Sequence, residues 1–425
     1  MDTAVARTPR ARPGRTGRPR ARAAALVTAL VLAPALAGCT PTTPDEGFEV
    51  ITAAGVERDA PSQEAAASAG TATTALGTDL YAALRSDGNL VLSPYSVAVA
   101  LAMTRAGAAG VTADEMDAVL HADGLDDLHA AFGSLDAVLA DRSGTFEIPG
   151  EDPVELELSF GNAVWPQTDF PFEDPFLEAL ARYYGAGVNV VDYLNDTEGA
   201  REAINDWVAD QTRERIPELI PPGALSTFTR LVLTNAVYLN APWRYPFEED
   251  LTADGPFTLL DGSAVDVPLM RLAEELAYGA GEGWEAVRLP YVDGNLAMVV
   301  LVPDAGSFAT VADAFDEELI GAVDAALRSR PVQLAMPRFE FRTQSNLNDA
   351  LKTLGMPTAF TEQADFSAMS PEPLAITDVL HEAFISVDEE GTEAAAATAV
   401  IVGETAIPED PVALTIDRPY LFWIV

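Results

Sequence analysis

The chain has 425 residues, with 66 acidic against 25 basic side chains, a formal net charge of −41 and a single cysteine. So negative a chain has no electropositive surface with which to neutralise phosphates, which excludes nucleic-acid binding. One cysteine excludes an internal disulfide framework, and three histidines (His121, His129, His381) leave little for a zinc site, so neither metal nor cofactor is expected.

The first 22 residues hold seven arginines (Arg7, Arg10, Arg12, Arg15, Arg18, Arg20, Arg22) and one acid, and the 15 residues from Ala23 to Ala37 are apolar apart from Thr28. This is the charged start and short apolar stretch of a signal peptide. Broken by Pro34, the stretch falls short of the roughly 20 residues that span a hydrocarbon core, so removal is expected rather than a transmembrane helix. It runs into Leu36-Ala37-Gly38-Cys39, which resembles a bacterial lipoprotein processing box, with the only cysteine at the lipidated position. The alternative is an ordinary secretory signal followed by a chance cysteine. Residues 1–38 are therefore read as a signal peptide and Cys39 as the lipidation site of an exported protein, either anchored facing outward or secreted. Removing them leaves 18 basic and 65 acidic residues, a net −47. Such a charge repels anionic lipid, so the membrane is a partner only through a lipid on Cys39. Residues 39–63 open on Thr40-Pro41-Thr42-Thr43-Pro44, show no periodicity over most of their length and read as a flexible tether.

Helical patterns follow at 64–85, 94–121 and 197–214, where Ile204, Trp207 and Val208 share a face. Strand patterns lie at 231–239, 296–302 and 332–341. No repeat or second linker interrupts 64–425, which is read as one domain. Helices mostly precede strands without regular alternation, so the class is α+β. The phosphate-loop, dinucleotide, zinc-protease and nucleophile-elbow motifs are all absent from the sequence. His381 with Ser93 and one of many carboxylates could in principle form a hydrolase triad, but a lone buried histidine more commonly serves packing, and no enzyme is expected. Trp165, Trp207, Trp243 and Trp284 read as core.

A long series of short motifs then carries a resemblance. Leu92-Ser93-Pro94-Tyr95-Ser96, Gly110-Val111-Thr112-Ala113-Asp114-Glu115-Met116, Asn205-Asp206-Trp207-Val208 and Leu233-Thr234-Asn235-Ala236-Val237-Tyr238-Leu239-Asn240 come in order, with Trp243 and Phe247. Leu289-Pro290-Tyr291, Met336-Pro337-Arg338-Phe339, Leu354-Gly355-Met356 and Ala364-Asp365-Phe366-Ser367 follow, then His381 and Arg418-Pro419-Tyr420-Leu421-Phe422. Most distinctive is the run Asp388-Glu389-Glu390-Gly391-Thr392-Glu393-Ala394-Ala395-Ala396-Ala397-Thr398. Together they resemble the serpin family over about 70–425. The resemblance implies three sheets with eight or nine helices, an exposed reactive loop, and suicide inhibition of a serine protease by a monomer. It implies a shutter at Ser93, Ser96, Asn235 and His381 behind the main sheet, a breach residue at Trp243 where insertion begins, and a hinge at Glu389–Thr398.

The hinge has to be an exposed loop and then a buried strand. Gly391 supplies backbone freedom, and Ala394, Ala395, Ala396 and Ala397 are small enough to pass between strands without overpacking. If Glu393 faces solvent, the inward positions are Thr392, Ala394, Ala396, Thr398, Val400 and Val402, none charged. That favours an inhibitor over a non-inhibitory relative. A lipid-anchored solute-binding module is the remoter rival, since the alternating lobes it needs are missing. At the family's spacing the scissile bond falls between Thr405 and Ala406, with Glu404 and Ile407 as further candidates. No lysine or arginine lies between Glu390 and Arg418, so the expected targets are elastase-like or subtilisin-like proteases. The resemblance stops at Phe422-Trp423-Ile424-Val425, before a last apolar strand that family members carry. The chain as written is therefore expected to be a truncated or misread product that inhibits poorly unless that strand is supplied.

Overall fold

The structure, a computed structural model, describes residues 47–147, 152–392 and 410–425. It is an α+β fold with nine α-helices among those residues and three sheets.

The strand Leu231–Pro242 is the axis of the main sheet. Its near-continuous apolar sequence follows from burial on both faces. Leu231 and Leu233 join a core with the helices Gln63–Leu84 and Pro94–Arg105, while Val232 and Ala236 pack the other way, with Ile204 and Val208 of the helix Thr197–Gln211. Across the sheet the order is Phe339–Asn346, Asp378–Val387, Gly391–Thr392, Leu231–Pro242, Val154–Phe160 and Gly144–Phe146. Ala163–Pro166 continues the pairing along the lower part of the axis strand.

A second sheet runs Val412–Thr415, Arg328–Pro337, Ala264–Gly281, Trp284–Pro290, Ala297–Pro303 and Leu421–Ile424, with Ala253–Thr258 on one flank. It packs its apolar face, including Met270, Leu289, Met298 and Met336, against Ala241, Ile385 and Val387 of the main sheet. The third sheet has two strands, Glu49–Ile51 and Val188–Val190.

Several boundaries differ from the sequence reading. The helical pattern at 94–121 is two helices, Pro94–Arg105 and Gly110–Val119, because the chain turns at Gly110, which has φ +52°. The alternation at 332–341 crosses from one sheet to another at Arg338, and period two is the same on both sides of the crossing. The helical pattern at 197–214 stops at Gln211, and Arg213 and Glu214 that follow have φ of 50° and 63°.

The tether reading of 39–63 is corrected for residues 47–62. Glu49–Ile51 pairs with Val188–Val190, Phe48 packs edge-on to Trp165 at 5.0 Å, and the Arg58 guanidinium donates to Asp136 at 2.6 Å and to the Gly133 carbonyl at 3.0 Å. A three-residue strand is too short to carry a visible period, so this docking left no signal in the sequence. Residues 1–38 and Cys39 lie outside the described residues. No helix among the described residues is long and apolar enough to cross a membrane.

Candidate functional site

At the top of the main sheet, Gly391 and Thr392 form a two-residue strand wedged between the axis strand and Asp378–Val387. Thr392 lies opposite Ala241 on one side and Val387 on the other. Further down, the two flanking strands pair directly and in parallel, from Asp378 opposite Val232 to Ala383 opposite Val237. Between these two zones, residues 238–240 and 384–386 are not paired with each other. The sheet is thus split at its top and closed below.

The wedge is held from several directions. Asp388 bends the chain: its Oδ1 accepts from the Glu390 and Gly391 amides, and its own amide donates to the Gly391 carbonyl. The Trp243 amide donates to the Glu390 carbonyl and the Phe247 amide to the Glu389 carbonyl, each at 2.8 Å. Trp243 also donates its indole N–H to the Asp388 carbonyl at 3.1 Å. Glu389, though acidic, is buried; its carboxylate accepts from Thr252 Oγ1 at 2.7 Å and lies 3.5 Å from the Arg338 guanidinium, so the charge is compensated. Burial raises the Asp388 pKa, partly offset by the two amides that its carboxylate accepts from.

Thr392 points inward. Its hydroxyl meets the Tyr291 hydroxyl at 2.7 Å, and the Tyr291 ring stacks on Trp243 with centroids 4.6 Å apart and planes 7° from parallel. Gly391 is needed for a different reason from the one its hinge position suggests. A Cβ there would stand 2.4 Å from the Ala241 carbonyl oxygen and 2.8 Å from Pro242 Cα, so close backbone approach, not positive φ, demands glycine.

The four residues expected to form a shutter come together lower on the same sheet and at the helix Pro94–Arg105 behind it. The Ser93 amide donates to His381 Nε2 at 3.0 Å, and the Ser93 and Ser96 hydroxyls meet at 3.0 Å. Ser93 also caps the helix Pro94–Arg105, its side chain accepting from the Ser96 amide. Asn235 lies opposite His381 across the parallel pair, and its Nδ2 donates to the Leu380 carbonyl at 3.4 Å. Asn235 Oδ1 and His381 Nδ1, both buried, make no well-formed hydrogen bond among the described residues, although the Asn235 backbone lies close enough to the His381 ring to favour its protonated form. Burial lowers the His381 pKa from 6.5 to about 4, only partly countered by the Asn235 backbone, so the ring is neutral at neutral pH. A neutral ring whose Nε2 accepts an amide, with no carboxylate on Nδ1, lacks the orientation of a catalytic base. No group of metal-binding side chains occurs among the described residues.

Trp165, Trp243 and Trp284 are core, while Trp207 is half-buried with its edge on Trp165. Glu393, Ala394, Ala395, Ala396, Ala397 and Thr398 of the hinge, and Glu404, Thr405, Ala406 and Ile407 of the expected cleavage region, lie outside the described residues. Sequence reasoning missed Tyr291, Asp388, Thr252 and Arg338 as partners of the hinge. The Leu289-Pro290-Tyr291 motif was visible, but not the 101-residue contact from Tyr291 to Thr392.

Comparison with known proteins agrees with this geometry. A family model described as serpin (serine protease inhibitor) matches residues 71–425. An uncharacterised serpin-like protein of Methanosarcina acetivorans is 32% identical over 363 residues, 83% of this chain and 82% of that one. The leukocyte elastase inhibitor of Sus scrofa is 34% identical over 367 residues, covering 83% of this chain and 94% of its own. Among solved structures, the native state of a thermophilic serpin, tengpin, superposes with a TM-score of 0.76 at 26% identity, covering 89% of this chain and 95% of that one.

Proposed function

The chain belongs to the serpin family, and we propose that it is a suicide inhibitor of extracellular serine proteases, acting by cleavage of its loop and insertion of the freed strand into the main sheet. The observation that carries this reading is the wedge. Opposite Thr392, Val387 and Ala241 differ by 146 in number, and so do His381 and Asn235 in the closed zone below. Continuing the wedge downward therefore needs only sideways parting of the two strands, with no slip along their length. Six parallel residue pairs would be exchanged for antiparallel pairing on both sides of a new strand, a net gain of ladder hydrogen bonds.

On insertion the same register would bring Ala394 opposite Leu239 and Ile385, Ala396 opposite Val237 and Ala383, and Thr398 opposite Asn235 and His381. The Thr398 hydroxyl would arrive where Asn235 Oδ1 and His381 Nδ1 lack a well-formed hydrogen bond. The protease nucleophile attacks the loop and forms an acyl-enzyme, the amide bond breaks, and the freed segment zips downward. The attached protease is dragged and deformed before water can release it. Export and a lipid on Cys39 belong to the same proposal and are supported by the Arg-rich start, the short apolar stretch and the placement of the only cysteine.

Thr392→Arg tests this. It would put a guanidinium into the buried site beside Tyr291 that Thr392 already fills, at a cost of several kcal/mol, so insertion should lose its starting point and inhibitor should become substrate: the loop is cut, but no covalent complex survives denaturing electrophoresis. A stable covalent complex from Thr392→Arg would sink the mechanism.

A further inference from the structure

We propose that Tyr291 is a latch that keeps the hinge docked in the uncleaved protein, so that strand insertion starts from a nucleus already in place. Its consequence for inhibition rests on the proposed function, but the latch itself is a property of the resting chain. Tyr291 follows the strand Trp284–Pro290 of the second sheet, and Thr392 belongs to the main sheet, so the contact between their hydroxyls ties the hinge to a different layer of the molecule.

The aromatic pair holds both ends of one turn. Tyr291 binds the Thr392 side chain, and Trp243, stacked on it, binds the Asp388 carbonyl four residues earlier. Both hydroxyls are buried with their residues, so a hinge that swung out would leave the Tyr291 hydroxyl unpaired in an apolar pocket beside Trp243 and Phe247. Backbone pairing over two residues would be a weak anchor by itself; the hydroxyl pair adds a specific one. With the latch closed, the loop leaves the domain at Thr392 instead of Asp388, which shortens the free span available to a protease. Tyr291 is therefore a positioning residue. It acts on the loop and never touches the scissile bond.

Hydrogen exchange of residues 388–392 in the full, uncleaved chain, with no protease present, reads the latch directly. Thr392→Val keeps the shape and removes the hydroxyl, and should speed exchange of this segment about tenfold. Thr392→Ser restores the hydroxyl and should restore protection. Tyr291→Phe should match Thr392→Val, and the double variant should exchange no faster than the faster single one, because both changes delete the same contact. The latch is overturned if Thr392→Val exchanges like the unaltered protein, if Ser and Val behave alike, or if the two single effects multiply. Since no inhibition is measured, failure here would leave the proposed function standing. Absence of a covalent complex between the unaltered protein and a protease that cuts its loop, with exchange behaving as expected, would strike the function instead.

Discussion

Gly391 lies so close to Ala241 that the carbonyl oxygen of Ala241 occupies the space where a side chain on residue 391 would begin. The contact separates two explanations for a glycine at the hinge. Freedom of φ would matter while the loop swings, whereas close approach matters once the hinge is docked.

Gly391→Ala should therefore undock the hinge in the resting protein, with a cost of roughly 1 to 3 kcal/mol from overpacking against backbone that cannot yield. The expected outcome is faster amide exchange at 388–392 and a rise in the fraction of chain cleaved as substrate. An unchanged exchange pattern together with full inhibition would show that the contact is relieved at no cost.

Buried His381 and half-buried His129 make the fold sensitive to mild acid. His129 and His381 are each lowered from 6.5 to about 4, mainly by burial. The unfolded chain thus takes up protons before the folded one does, so stability is complete above about pH 6.5 and falls as pH drops toward 4. Asp378, Glu382 and Asp388, raised by burial, act in the opposite sense at the acid end. Between pH 7 and 5.5, unfolding free energy should fall with a slope that steepens toward, and does not exceed, about 1.4 kcal/mol per pH unit for each histidine. Denaturant unfolding across that range checks it, with His129→Phe carrying about half the slope. A flat or rising profile would contradict the assignment.

Cleavage specificity follows from the loop sequence. With no lysine or arginine between Glu390 and Arg418, a trypsin-like pocket has no cation to pair with. Elastase-like or subtilisin-like proteases should cut between Thr405 and Ala406, with a glutamate-selective protease cutting after Glu404 as the second choice. Mass measurement of the released carboxy-terminal peptide decides it. Release after Arg418, or no cut between 403 and 408, would remove the assignment.

What could be read in advance was what the local period encodes. Leu231–Pro242 announced itself through its β-branched and apolar run, and Ser93, Asn235 and His381 through the motifs around them. Period alone did not separate Pro94–Arg105 from Gly110–Val119, since both helices bury a face and the break depends on the backbone at Gly110. The docked segment at 47–62 and the Tyr291 contact depend on what lies opposite in space. No pattern internal to either segment holds that information.

Loop cleavage should let the main sheet gain a strand, and thermal unfolding before and after a single cut at 404–407 checks this. The cut chain should melt far above the intact one, because a full central strand replaces a two-residue wedge and the shutter atoms gain partners. A melting temperature that stays the same or falls after the cut would contradict insertion and place the protein among relatives that do not inhibit.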